Sequence, residues 1–156
     1  MSLYLLRHGE AEPRQYDDPT RSLTELGSRD VKSVARQFAT RGITLDLCLH
    51  SPYLRTTQTA STFLAELNCK VNTRAESMLT PDHRALPVLQ TLRALTEQNV
   101  LLVTHNPLVS EMLAVLTDTD LQSMHIVGTS ELNALHCVDL SQGGGQPQFR
   151  LQARRQ

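Results

Sequence analysis

Short apolar runs alternate with segments of helical spacing along this chain, and no other feature restricts its fold as much. Val100-Leu101-Leu102-Val103 is the clearest run, closed at once by Thr104, His105, Asn106 and Pro107. A run that short, apolar throughout and bounded by polar residues, predicts a buried strand. Leu3-Tyr4-Leu5-Leu6 has the same character, and residues 45–50 predict a further strand. The first helix is expected behind Thr24 as N-cap, with Val31, Val34, Ala35 and Phe38 at helical spacing and Gly42 as its stop. A second spans residues 54–67 behind Pro52, which suits a first turn because its missing N–H has no partner there. A third covers residues 85–97, with Pro87 admitted only in the first turn, and a fourth runs from Asn106-Pro107 to about Leu116. Residues 70–74 predict a short strand. Residues 131–139 alternate as a strand, residues 141–146 hold three consecutive glycines and predict a hairpin turn, and residues 149–153 close the pair. Residues 154–156 are expected to fray. Strand and helix in alternation predict an α/β fold with a mainly parallel sheet.

The chain has 156 residues, which suggests one domain over residues 1–156. With 15 basic against 16 acidic residues the formal net charge is -1, so no field attracts nucleic acid or an anionic membrane non-specifically. Of the 15 basic residues, 13 are arginine, which reads as base composition for most of them. Three cysteines, Cys48, Cys69 and Cys137, are an odd number without a CxxC, which argues against a disulfide framework or a zinc cluster and for a reducing, cytoplasmic setting. Arg7, His8 and Glu10 follow the first apolar run directly, so it lacks the length of a signal-peptide core. No apolar run approaches the ~20 residues of a membrane helix. A monomer is expected, because no second apolar surface is evident.

In open α/β sheets, ligands bind outside the carboxyl ends of the strands. Three such ends are unusually polar here: Arg7-His8-Gly9-Glu10, then Ser51-Pro52 followed by Arg55, then Thr104-His105-Asn106-Pro107. If those strands are parallel neighbours, two histidines and two arginines converge. A neutral imidazole is a nucleophile that attacks phosphorus well. A phosphoryl group in flight carries charge on three equatorial oxygens, and arginine meets them with paired donors at every relevant pH. A second, protonated histidine would donate to another oxygen, and Gly9 would let the backbone approach the phosphate. Arg55, in a first helical turn, is a cation at an end that disfavours cations unless an anion is present. No carboxylate cluster or His-x-x-x-His lies beside these residues, so the expectation is phosphoryl transfer with no metal and no cofactor.

The motifs resemble those of the histidine phosphatase (phosphoglycerate mutase-like) superfamily. Leu6-Arg7-His8-Gly9-Glu10 is similar to its RHG motif. Ser51-Pro52-Tyr53-Leu54-Arg55-Thr56-Thr57-Gln58-Thr59 is similar to S-P-x-x-R-x-x-Q-T, and Val103-Thr104-His105-Asn106-Pro107 to its third motif. The resemblance implies a three-layer α/β/α sandwich and a covalent phosphohistidine intermediate on His8, with Arg7, Arg55 and His105 as the phosphate pocket. Asp18, Arg21, Leu23, Thr24 and Gly27 resemble the D-x-x-R-x-L-T-x-x-G stretch of the SixA-type phosphohistidine phosphatases, and Leu79-Thr80-Pro81 their middle loop. That branch implies Arg21, Gly9 and Asp18 as further substrate or phosphate contacts. It implies a phosphorylated protein as substrate, a histidine-containing phosphotransfer domain or carrier in a phosphorelay, and a pocket that takes phosphate or sulfate.

Larger relatives carry an acidic residue in mid-chain to protonate an alcohol leaving group. Met78, not glutamate, precedes Leu79-Thr80 here. General acid help is typically worth ~10²–10⁴-fold, but an imidazole leaves a phosphoramidate far more easily than an alkoxide leaves an ester. A phosphohistidine substrate therefore relaxes the need. Asp82, His83, Glu76 and Asp18 stay open as acids. A phosphatase for small phosphate esters or sugar phosphates is the alternative reading, and a non-catalytic anion-binding scaffold a third. Glu10 reads as structural, and His50, His125 and His136 as unrelated to catalysis. Cys48 and Cys137 read as small core hydrophobes, and Thr129-Ser130, just before a strand, as a local turn in preference to a phosphate contact.

Overall fold

A computed structural model describes residues 1–13 and 18–154. Six strands, β1 (Ser2–Arg7), β2 (Leu47–His50), β3 (Asn72–Ala75), β4 (Asn99–Thr104), β5 (Leu132–Cys137) and β6 (Gly145–Leu151), form one sheet in the order β3-β2-β4-β1-β5-β6. The β2–β3, β2–β4 and β1–β4 pairs are parallel, while β1–β5 and β5–β6 are antiparallel. The α-helices among the described residues are α1 (Glu25–Ala39), α2 (Leu54–Leu67), α3 (Ala85–Leu92) and α4 (Leu108–Leu116). The fold is the α/β class expected, mainly parallel with an antiparallel edge.

Side-chain alternation along the central strands builds the three layers. Leu3, Leu5, Leu47, Leu49, Val100 and Leu102 point into one core with Val88, Leu89 and Leu92 of α3 and Leu108, Met112 and Leu116 of α4. Tyr4, Leu6, Cys48, Leu101 and Val103 point into the other, with Val31, Val34 and Phe38 of α1 and Phe63 of α2. Burying each such leucine or phenylalanine is worth ~1.5–3 kcal/mol. Both faces of these strands are covered, which is why they read as continuous apolar runs.

Several boundaries differ from expectation. α3 ends at Leu92 rather than residue 97: Ala94 N–H bonds to Thr91 O at 3.3 Å and Leu95 N–H to Leu92 O at 3.0 Å, so the last turn tightens and the chain turns toward β4. Pro52 lies outside α2, whose N-cap is Tyr53. Pro87 does sit in the first turn of α3. β6 begins at Gly145, inside the expected turn, because a register shift at Ala134/Leu135 carries the pairing further. Its Pro147 is tolerated on an edge strand. The Arg154 amide bonds to Ser33 Oγ at 2.9 Å, so that residue is tied down. The rest of the expected fray, residues 155–156, lies outside the described residues, as do residues 14–17 within the stretch from Arg7 to Arg21, whose Gly9, Pro13, Pro19 and many polar residues predict a long loop.

Register is what positions the site. Arg7 pairs with Thr104 and His50 with Val103. β1, β2 and β4 therefore reach the same edge together, and His8, Ser51 and His105 leave it side by side. Thr24 caps α1 through Gly27 N–H at 2.9 Å, and its own N–H bonds to Glu10 O at 2.9 Å. A Cβ on Gly27 would stand 2.1 Å from Glu10 O, and one on Gly9 2.9 Å from Gly27 O. Both glycines let the turn behind β1 press against α1.

Candidate active site

His8 lies one residue beyond β1, His105 one residue beyond β4, and Arg55 in the first turn of α2. Arg7, His8, Asp18, Arg21, Arg55 and His105 share one cavity of about 350 Å³, which Glu10, Pro81, Asn106 and Thr129 also line. The His8 and His105 rings lie 5.1 Å apart, centroid to centroid.

The hydrogen bonds assign the His8 tautomer. His8 Nδ1 lies 2.7 Å from Gly9 O. A carbonyl only accepts, so Nδ1 carries the proton and Nε2 keeps its lone pair. Arg55 Nε–H donates to that Nε2 at 3.3 Å, in agreement. Arg7 Nη1 donates to Val127 O at 2.9 Å. His105 Nε2 lies 2.8 Å from Ser51 Oγ. Among the described residues, Arg7 Nε and His105 Nδ1 are buried without a partner. A buried unpaired polar atom is costly, and both belong to side chains that line the cavity. The site is thus shaped for a ligand rich in acceptors.

The comparisons with known proteins agree with that shape. Residues 3–78 match the model of the histidine phosphatase superfamily (branch 1). The chain is 32% identical over 126 residues to the phosphohistidine phosphatase SixA homolog of Haemophilus influenzae, covering 74% of this chain and 77% of that one. It is 30% identical over 119 residues to the phosphohistidine phosphatase SixA of Escherichia coli, covering 74% of each. The structure of the protein histidine phosphatase SixA complexed with tungstate matches with a TM-score of 0.86 at 27% identity over 97% of both chains. The chain belongs to the histidine phosphatase superfamily.

Burial pushes the His8 imidazole of this phosphatase down to about 4. Arg55, Arg7 and Arg21 push the same way, against the bond to Gly9 O. His105 is pushed down to about 2 by burial, then by His8 and Arg55. Burial beside cations favours a neutral His105 over the protonated ring expected from the sequence. The same burial makes a prediction. An unfolded chain takes up these protons near pH 6.5, whereas folded His8 does so near 4. The associated stability is present above pH 6.5 and is lost as pH falls from there toward 4, at up to about 1.4 kcal/mol per pH unit for each histidine. An NMR titration of the imidazole resonances should show a His8 midpoint near 4; a midpoint near 6.5 contradicts the buried, cation-flanked ring.

Arg21 and Asp18 reach the cavity together. Arg21 Nε bonds to Asp18 Oδ1 at 2.8 Å, and Arg55 Nη2 lies 3.3 Å from Asp18 Oδ2 with its Nη1 on Asp18 O at 2.9 Å. Burial raises the Asp18 carboxyl, but the Arg21 hydrogen bond and the charges of Arg55 and Arg21 outweigh it and hold the group below its usual value. Asp18 is therefore an ionised partner of the arginines, poorly suited to donate a proton. The other groups left open as acids do not line the cavity. Glu76 is paired with Arg74 at 2.8 Å. Asp82 is 81% exposed and accepts from Thr80 Oγ1, and His83 Nδ1 lies 2.8 Å from the same hydroxyl. Gly9 does not line the cavity either; its backbone approaches α1, and its N–H donates to Thr59 Oγ1 at 3.1 Å.

Sequence reasoning missed the supports of the site. Gln58 Oε1 accepts Leu23 N–H at 2.7 Å, and Thr59 Oγ1 ties Gly9 to Arg55 O, so the Q-T of the second motif braces the first motif and the loop behind it. Asn106, Ser110 and the Val127 backbone N–H and C=O close a ring that holds Val127 O against Arg7. Thr129 lines the cavity, where the sequence favours a turn over a phosphate contact. The polar residues within the motifs were the available signal.

Proposed function

We propose that this chain is a metal-independent protein phosphohistidine phosphatase. One observation carries the reading: an unprotonated His8 Nε2 beside the Arg55 guanidinium, in a cavity that the buried, unpartnered Arg7 Nε and His105 Nδ1 belong to. In the first step the Nε2 lone pair attacks phosphorus and the P–N bond of the substrate phosphohistidine breaks; a substrate ring already protonated on its other nitrogen keeps the bonding pair and leaves as neutral imidazole. In the second, water attacks phosphorus, the P–Nε2 bond breaks, inorganic phosphate leaves and His8 regains its lone pair. Preorganised donors lower both barriers without reorganising. Of the four groups left open as acids, only Asp18 lines the cavity, and the arginines keep it ionised. That favours an imidazole leaving group over an alkoxide. The names of the SixA relatives, one of them bound to a tetrahedral oxyanion, support the same reading.

The substrate in this reading is a histidine-containing phosphotransfer domain or carrier, and the enzyme acts in the cytoplasm as a monomer within a phosphorelay. The free cysteines Cys48, Cys69 and Cys137 suit that setting. Purified protein assayed on a histidine-phosphorylated phosphotransfer domain and on para-nitrophenyl phosphate should show the higher kcat/KM on the former. Turnover of the ester with none of the phosphohistidine would favour a small-molecule phosphatase, and no turnover of either an anion-binding scaffold.

A further inference from the structure

We infer that Ser51 is a positioning residue: its hydroxyl holds neutral His105 in the tautomer with the proton on Nδ1, so that an uncharged ring donates a hydrogen bond to the transferred phosphoryl group. The kinetic part of this inference rests on the phosphatase reading above; the tautomer does not.

Ser51 is fully buried, and its N–H bonds to Val103 O at 3.0 Å as it leaves the sheet edge. Its carbonyl is also anchored, since Thr56 Oγ1–H and His50 Nδ1–H donate to it at 2.8 Å each. The hydroxyl has two partners among the described residues. Tyr53 N–H donates to Ser51 Oγ at 3.3 Å, and His105 Nε2 lies 2.8 Å from it. The Tyr53 amide can only donate, so it uses one of the oxygen lone pairs. The hydroxyl hydrogen then has one place to go, the lone pair of His105 Nε2. That leaves the ring proton on Nδ1, the buried atom without a protein partner. In the opposite tautomer Nε2–H would donate to Ser51. The serine hydrogen would then be buried with no acceptor, and the bare Nδ1 lone pair would meet phosphoryl oxygens that also carry lone pairs. Each unmet buried group is costly, so both counts favour Nδ1–H. Tyr53 and His8 stack edge-on to the ring at 5.0 and 5.1 Å, which restricts it from turning over. A neutral donor set this way needs no proton from solvent. Ser51 thereby reconciles a desolvated His105 with a role in holding phosphate.

The test uses the full chain. Long-range ¹H–¹⁵N NMR of the wild type at pH 7 reads which His105 nitrogen carries the proton, and Nδ1 is expected. In Ser51→Ala the preference should be lost, and kcat on a histidine-phosphorylated domain should fall about 10–100-fold, less than the ~10²–10³-fold cost of deleting a transition-state donor because the His105 ring remains, with KM little changed. Ser51→Thr, which keeps the hydroxyl, should restore both the tautomer and kcat. An Nε2-protonated His105 in the wild type overturns the inference without any variant. So does a Ser51→Ala protein that keeps both the Nδ1–H signal and kcat. A wild type that hydrolyses no phosphohistidine would instead overturn the functional reading. The NMR measurement, with the affinity for inorganic phosphate compared between wild type and Ser51→Ala, would still decide the part played by Ser51.

Discussion

His8→Ala is expected to abolish turnover, by roughly 10⁴-fold or more, as removal of a nucleophile does in other covalent enzymes. Among the described residues, no other group in the cavity presents a neutral nitrogen lone pair beside a guanidinium: His105 Nε2 is engaged by Ser51, and the arginines stay charged. The fold should persist, because His8 is a single residue beyond β1 whose backbone N–H is held by Thr104 O at 3.1 Å. Rapid quench with a phosphorus-labelled substrate should trap label on the wild type as an acid-labile, base-stable phosphoramidate and none on the variant. A variant with full activity removes the covalent mechanism.

Arg55→Ala should cost kcat/KM about 10³-fold, at the upper end for loss of one preorganised donor. Two effects combine. The guanidinium that donates to His8 Nε2 and would meet the phosphoryl oxygens is gone. Asp18 also loses one of the two arginine partners it has among the described residues and stands in the cavity as a less compensated anion, which repels phosphate. The double variant Arg55→Ala/Asp18→Ala should therefore be more active than Arg55→Ala alone, a non-additivity that a double-mutant cycle measures. A single variant within tenfold of wild type, or a double variant worse than either single, contradicts this account of the pair.

The legible and the illegible parts of this molecule divide along physical lines. Val100-Leu101-Leu102-Val103 and Leu3-Tyr4-Leu5-Leu6 announced β4 and β1, because a strand buried on both faces must be apolar at successive positions. Thr24 announced the start of α1, because an N-cap acts on its own first turn. The end of α3 was missed because tightening of its last turn answers to where β4 must begin, and β6 because a bulge lengthened its pairing.

For the site, amino-acid order alone determined the cast: Arg7, His8, Arg55 and His105, each at the exit of a recognisable strand or the entrance of the following helix. Residue type and local punctuation are properties of short stretches, so they survive without coordinates. Tertiary structure decided how that cast behaves. It set which nitrogen of His8 is bare, which tautomer of His105 Ser51 enforces, that His105 is neutral, that Asp18 clasps Arg55, and that Gly9 serves helix packing. Each of these depends on desolvation and on charges or dipoles brought together from positions such as 8, 55 and 105. Proton affinity and hydrogen-bond direction are set by neighbours in space, so only the folded chain can fix them.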